Sequence, residues 1–329
     1  MMKSRILYIS LLLTTLQHTV FAAGQFTDSS ILSNKKENDM EHKQVFFRSI
    51  KVDGLAIFYR EAGTPGKPVI LLLHGFPSSS RMYNDLMRDL ADSYHLIAPD
   101  YPGFGQSSAP VTTAYTYTFD NLTTTISHFI DQLGLKKFSL YLQDYGGPIG
   151  FRIATQRPEA VQALIIQNAN AYTEGLGEAL APLAAYMQDP NADTEKGARA
   201  LLTPEATRWQ YTDGAENIAA INPDSYITDQ YYLDRPGNDV IQLALFRNYS
   251  SNLALYDTWQ AYFSKYHPAT LVISGRHDPL FVAAGALAFK KDNPAAEIHL
   301  LNGGHFALEE HHLQAAALIK TFLQQKQIH

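Results

Sequence analysis

From residue 45 onward the chain alternates between apolar and polar positions, and two such segments, 45–52 and 55–61, meet at Asp53-Gly54. A period of two marks half-buried strands and Asp-Gly suits a tight hairpin turn, so these segments predict an antiparallel pair. Runs that are predominantly apolar follow at 69–73, 95–98, 138–142, 163–166, 270–273 and 298–301, each bounded by turn residues. Strands covered on both faces have this pattern. Helix-length segments at 80–91, 119–133 and 308–323 alternate with several of them. The rhythm predicts an α/β fold with a mainly parallel central sheet and helices on both faces.

One block breaks the rhythm. Between Asn168 and Tyr266 the chain carries helical patches and loop signals such as Asp189-Pro190, Asn222-Pro223 and Arg235-Pro236-Gly237-Asn238, with no clear strand pattern. It predicts a helical cap, residues 169–266, inserted between the two halves of the core, 44–168 and 267–329.

The N-terminus has a different character. Lys3 and Arg5 precede an apolar run that ends in Val20-Phe21-Ala22, the layout of a cleaved export signal over residues 1–22. Thr14, Thr15, Gln17 and His18 interrupt the run, which is short for a membrane span. Residues 23–43 are polar and without periodicity, the composition of a mobile tail. The expectation is an exported protein, periplasmic or secreted, that does not stay in the membrane once the signal is removed.

Charge and composition narrow the partners. The formal net charge is −6, and losing Lys3 and Arg5 takes it to −8. An acidic chain without a basic cluster is not suited to nucleic acid, whose phosphates need grouped Lys and Arg. The chain has no cysteine, so neither disulfides nor thiol chemistry enter. A small apolar organic molecule and water are the expected partners.

Ligands of an open parallel sheet bind beyond the carboxyl ends of its strands, and there the sequence is informative. His74-Gly75-Phe76-Pro77, Gln143-Asp144-Tyr145-Gly146-Gly147, Gly275-Arg276-His277-Asp278-Pro279 and Gly303-Gly304-His305-Phe306 each follow an apolar run. A sharp strand-to-helix bend at Asp144 would expose its carboxylate above the sheet, with glycines allowing close backbone approach. Amides at the helix start would keep it ionised. His305 can turn one ring nitrogen to the pocket while Asp278 holds the other, giving a nucleophile, an acid and a base in chain order. Alone, Asp before Gly is a common turn and a loop His a packing residue; the ordered set carries the chemistry.

Together these motifs, with Ala98-Pro99-Asp100-Tyr101-Pro102-Gly103-Phe104-Gly105-Gln106-Ser107, resemble the α/β-hydrolase superfamily, in the branch of haloalkane dehalogenases and epoxide hydrolases. The likeness runs from Val45 to Leu323. It implies a triad of Asp144, Asp278 and His305, an oxyanion hole from the backbone N–H groups of Phe76 and Tyr145, and no metal or cofactor. A carboxylate nucleophile suits displacement at saturated carbon, because on an ester it would make an anhydride. The implied activity is a hydrolase that forms an alkyl ester on Asp144, which His305-activated water then cleaves.

The leaving group is drawn two ways. The elbow is similar to that of haloalkane dehalogenases, but Tyr145 stands where they usually carry Trp. Ala185-Tyr186-Met187-Gln188-Asp189-Pro190 looks like the epoxide-hydrolase segment whose Tyr protonates the ring oxygen, while Phe246, before Arg247-Asn248, stands where a second such Tyr is expected. Carbon–halogen cleavage is the favoured expectation, epoxide hydrolysis the alternative, and a non-catalytic binding protein on the same fold a third. Ser107 nearly matches a serine elbow, but Pro110 prevents the helix it would need. Asp100 and His74 read as loop-structuring residues, and Glu309-Glu310-His311-His312 as a solvated helix face rather than a metal site.

Overall fold

The computed structural model describes residues 43–328. The expected export signal and all but the last residue of the polar tail lie outside the described residues. Eight strands are present: β1 (Val45–Val52), β2 (Leu55–Ala62), β3 (Val69–Leu73), β4 (His95–Pro99), β5 (Phe138–Gln143), β6 (Val161–Gln167), β7 (Ala269–Gly275) and β8 (Glu297–Leu301). They form one sheet in the order β1-β2-β4-β3-β5-β6-β7-β8. The first pair is an antiparallel hairpin closing at Val52 and Leu55, with Asp53 and Gly54 both at positive φ (51° and 86°). β2 runs antiparallel to β4, and every later pairing is parallel.

The central strands are predominantly apolar because both faces are covered. Successive side chains point to opposite faces, so Leu71, Leu73, Leu140, Leu142, Leu164 and Ile166 enter one core cluster. Ile70, Leu72, Tyr141, Ala163 and Ile165 enter the other. Helices α1 (Asn84–Leu90), α2 (Phe119–Gln132) and α3 (Gly146–Gln156) follow β3, β4 and β5. α2 and α3 bring Ile126, Phe129, Ile149 and Ile153 to the first cluster, and α1 brings Leu86 and Leu90 to the second. Each fully buried side chain of this size contributes about 1.5–3 kcal/mol. The segment expected to be helical at 80–91 begins as a 3-10 turn, Ser80–Tyr83, capped by Ser79.

Between β6 and β7 come seven helices: α4 (Ala181–Gln188), α5 (Ala192–Ala200), α6 (Pro204–Thr212), α7 (Pro223–Leu233), α8 (Asn238–Asn248), α9 (Ser250–Leu253) and α10 (Tyr256–Tyr266). This segment is anchored to the loops at the carboxyl ends of the strands. Phe246 meets Phe76 edge to face at 5.1 Å, and Tyr211 stacks flat on Phe306 at 3.8 Å. Arg81 donates to Ser225 Oγ and Tyr211 OH, both at 3.0 Å, and pairs with the buried Asp229. After β7, α11 (Ala283–Asp292) packs beside α10, and α12 (Leu308–Gln325) lays Ile319 and Phe322 against the same core cluster as α1. Among the described residues, no helix is long and apolar enough to cross a membrane.

Candidate active site

The bend between β5 and α3 is tight enough to hold Asp144 at φ 48°, a left-handed conformation that a non-glycine residue adopts only under constraint. Two glycines make the bend possible by close approach. A Cβ on Gly146 would sit 1.9 Å from Leu73 O, and one on Gly75 would sit 2.2 Å from Asp144 Cβ. Phe76 N–H donates to Asp144 Oδ1 at 2.6 Å, and the Tyr145 amide donates to the same carboxylate. These two amides come from the loops after β3 and β5. Their effect on the charge is smaller than expected from sequence. Burial pushes the Asp144 carboxyl up to about 6, against the opposing pull of His305 and the two amides. At neutral pH the group is still mostly ionised.

His305 and Asp278 lie beside it. His305 Nδ1 is 2.9 Å from Asp278 Oδ2, and both side chains are fully buried. Leu280 N–H holds the other oxygen, Asp278 Oδ1, at 2.8 Å. Asn168, which ends β6 at φ 46°, donates from Nδ2 to Asp278 Oδ2 at 2.7 Å. Burial works against a charged imidazole, but Asp278 and then Asp144 outweigh it and hold His305 above its ordinary range. The other ring nitrogen, Nε2, is 3.1 Å from Gln143 Nε2. If the amide donates there, Nε2 carries a lone pair and the proton sits on Nδ1 toward Asp278, the tautomer a general base needs. The structure therefore brings together Asp144, His305, Asp278, Phe76 and Tyr145.

Tyr186 does not join them. It lines an outer cleft with Glu195, Arg199 and Arg247. The structure does not place Tyr186 on the wall of the cavity above Asp144, where the expected leaving-group role would put it. Leu180 and Leu183 face the cavity above Asp144 instead, with Phe246 and Phe281. The polar side chains on that cavity's wall besides Asp144 are Tyr145, Trp209, Gln210 and Tyr249. The cavity is about 40 Å³, little more than the liquid volume of one water, so a substrate enters only as its wall moves. A larger hollow of about 750 Å³ lies outside α6 and α7 and shares Trp209 with the inner one. None of Asp144, Asp278 and His305 lines it, whereas Asp144 lines the smaller cavity.

Other residues singled out in the sequence have structural partners. Asp100 accepts from Ser80 N at 2.7 Å and Gln106 N at 2.8 Å. Ser107 donates to Asp100 O at 2.7 Å and accepts from Phe58 N. His74 stacks on Tyr101 at 4.2 Å. The solvated-face expectation for residues 309–312 needs correction. Glu309 accepts from Ser225, Glu310 from the Glu216 and Asn217 amides, His311 meets Asn302 O, and His312 pairs with Asp89 at 2.6 Å. A break in helical geometry at His311 lets these neighbouring side chains reach different partners.

Sequence reasoning missed Asn168, Gln143 and Gln210. Asn168 offered one signal, since Asn tolerates positive φ at a strand end. Gln143 and Gln210 offered none, because their contacts depend on loops far away in the chain.

Comparison with known proteins is consistent with this geometry. The chain is 40% identical over 270 residues to the uncharacterized hydrolase YNR064C of Saccharomyces cerevisiae, covering 80% of this chain and 92% of the relative. It is 39% identical over 128 residues to human epoxide hydrolase 4, covering 38% of this chain and 35% of that protein. Over 112 residues it is 38% identical to haloalkane dehalogenase 2 of Mycobacterium bovis, covering 34% and 38%. The crystal structure of the haloalkane dehalogenase DatA from Agrobacterium tumefaciens C58 superposes with a TM-score of 0.72 at 24% identity, over 86% of this chain and 97% of that one. Residues 68–312 match the alpha/beta hydrolase fold family, and the protein is an enzyme of that family.

Proposed function

We propose that the protein hydrolyses the carbon–halogen bond of a small apolar haloalkane by way of an ester on Asp144. An Asp144 oxygen attacks the carbon bearing the halogen, the carbon–halogen bond breaks, and its electron pair leaves with the halide. His305 then takes a proton from water, and the resulting hydroxide attacks the Asp144 carbonyl carbon. The oxyanion formed there is met by the Phe76 and Tyr145 amides, which already touch the carboxylate. One such donor is worth about 3–4 kcal/mol where it has been removed. The alkoxide departs from the ester with the proton held by His305, giving an alcohol.

The observation that carries the halide reading is the wall around Asp144. A halide leaves as a stable anion, whereas an opening epoxide needs a proton from an acid. Leu183 and Phe246 line the cavity and Tyr186 does not. One observation favours epoxides: the Tyr145 hydroxyl is buried without a partner, and Tyr145 lines the cavity. Burial pushes the Tyr145 and Tyr249 hydroxyls well above the usual phenol range, which works against their serving as acids. The helices between β6 and β7 act in this reading as a cap that closes over the substrate, and the N-terminal signal exports the protein. N-terminal sequencing of the secreted or periplasmic product would test the export.

The test of function is a screen of the purified protein against haloalkanes, haloacids, epoxides and activated esters, following halide, diol and acid release. Halide release from chloro- or bromoalkanes is the expected result. Epoxide opening without halide release from any substrate would reverse the assignment.

A further inference from the structure

Gln210 presents an unusual group to the cavity. It is buried at 3% exposure, lines the same cavity as Asp144, and its Nε2 has no hydrogen-bond partner among the described residues. A buried amide without a partner costs free energy, and folded proteins rarely retain one without a use. The helix that carries it, α6, is held on both sides of Gln210. One turn before it, Thr207 Oγ1 donates to Gln230 Oε1 at 2.6 Å on α7. At the next position, Tyr211 stacks on Phe306, the neighbour of His305, and receives Arg81 Nη2 at 3.0 Å. A donor placed on a helix pinned so close to the base does not need to reorganise as charge develops.

We infer that Gln210 is the donor that receives the departing halide, its NH₂ group facing the leaving atom as Asp144 attacks from the opposite side. This rests on the proposed displacement of halide by Asp144. The amide fits that task and excludes another. It donates a hydrogen bond but does not yield its proton, so it is sufficient for a group that leaves as a finished anion and cannot complete the departure of an alkoxide that must be protonated. The preferred substrate is therefore a halide whose leaving atom can sit against α6.

The experiment is single-turnover halide release from chloro-, bromo- and iodobutane by wild type, Gln210→Met, Gln210→Leu and Tyr145→Phe. Met matches the length of Gln and satisfies an apolar wall, and Leu keeps the test available if Met perturbs the fold. Loss of one hydrogen bond to a developing charge should slow chloride release by about 10- to 100-fold. Iodide, whose charge is more diffuse, should be slowed less. Breakdown of the alkyl ester, which occurs after the halide has gone, should be unchanged. Equal slowing of all three halides, slowed ester breakdown, or a chloride-selective loss in Tyr145→Phe but not in the Gln210 variants would overturn the role of Gln210 while leaving the dehalogenase reading intact. Wild type that releases no halide from any of the three would sink both.

Discussion

Asn168 Nδ2 lies 2.7 Å from Asp278 Oδ2, the same oxygen that faces His305 Nδ1 at 2.9 Å. Asn168 also receives the Asp144 N–H on its carbonyl at 3.1 Å and the Gly275 N–H on Oδ1 at 3.1 Å. One residue at the end of β6 thus ties the elbow to the loop that carries the acid. Asn168→Gly keeps the positive φ accessible while removing the side chain, and should slow ester hydrolysis roughly 10-fold or more, the size of one hydrogen bond to a charged group. Asn168→Asp should behave differently. Two carboxylates in contact cannot both ionise, so the pH profile of hydrolysis should move. Stopped-flow measurement of the two steps tells these outcomes apart, and unchanged hydrolysis in both variants would show that Asp278 needs no such support.

The members of the candidate triad should fail in different ways. Asp144→Asn should form no covalent intermediate. His305→Gln should still be alkylated and then stall, so intact-mass spectrometry should find the alkyl group retained on Asp144. Asp278→Ala should slow the second step by leaving His305 without its Nδ1 partner. Wild-type turnover in all three on an identified substrate would remove them from the chemistry.

Both steps should improve as the pH rises. Asp144 is pushed up to about 6 by burial, so alkylation should fall away below that pH as the carboxylate is protonated. His305 is held above its ordinary range, and it acts as a base only when neutral. Alkylation removes the Asp144 charge, one of the groups that hold His305 up, and so frees the base for the step that needs it. Stability should run the other way. A carboxyl whose folded value is raised above its unfolded 3.8 contributes stability fully present below 3.8 and lost as pH rises through about 6. Asp144→Asn should therefore melt higher than wild type at pH 8, by up to about 3 kcal/mol, and no higher at pH 3.5. Thermal melts across that range check the sign.

Tyr186→Phe should leave turnover within about two-fold of wild type, because Tyr186 lines an outer cleft and not the cavity above Asp144. A loss of several orders of magnitude on any substrate would mean that Tyr186 turns inward during the reaction.

By itself the sequence determined the sheet, because strands covered on both faces must be predominantly apolar and helices between them must be amphipathic. It also determined the order in which Asp144, Asp278 and His305 occur at strand ends, since glycines and turn residues mark those ends locally. The tertiary structure decided everything that depends on which distant loops meet. Asn168 became the support of Asp278 because β6 lies beside β7 in the sheet. Gln143 reached His305 across 162 positions of chain. Tyr186 lines an outer cleft with Glu195, while Gln210, which the sequence did not single out, lines the cavity above Asp144. A helix-rich segment with weak periodicity does not announce which face it turns inward. That choice is made by the partners it meets, and here they are Phe306 and Arg81.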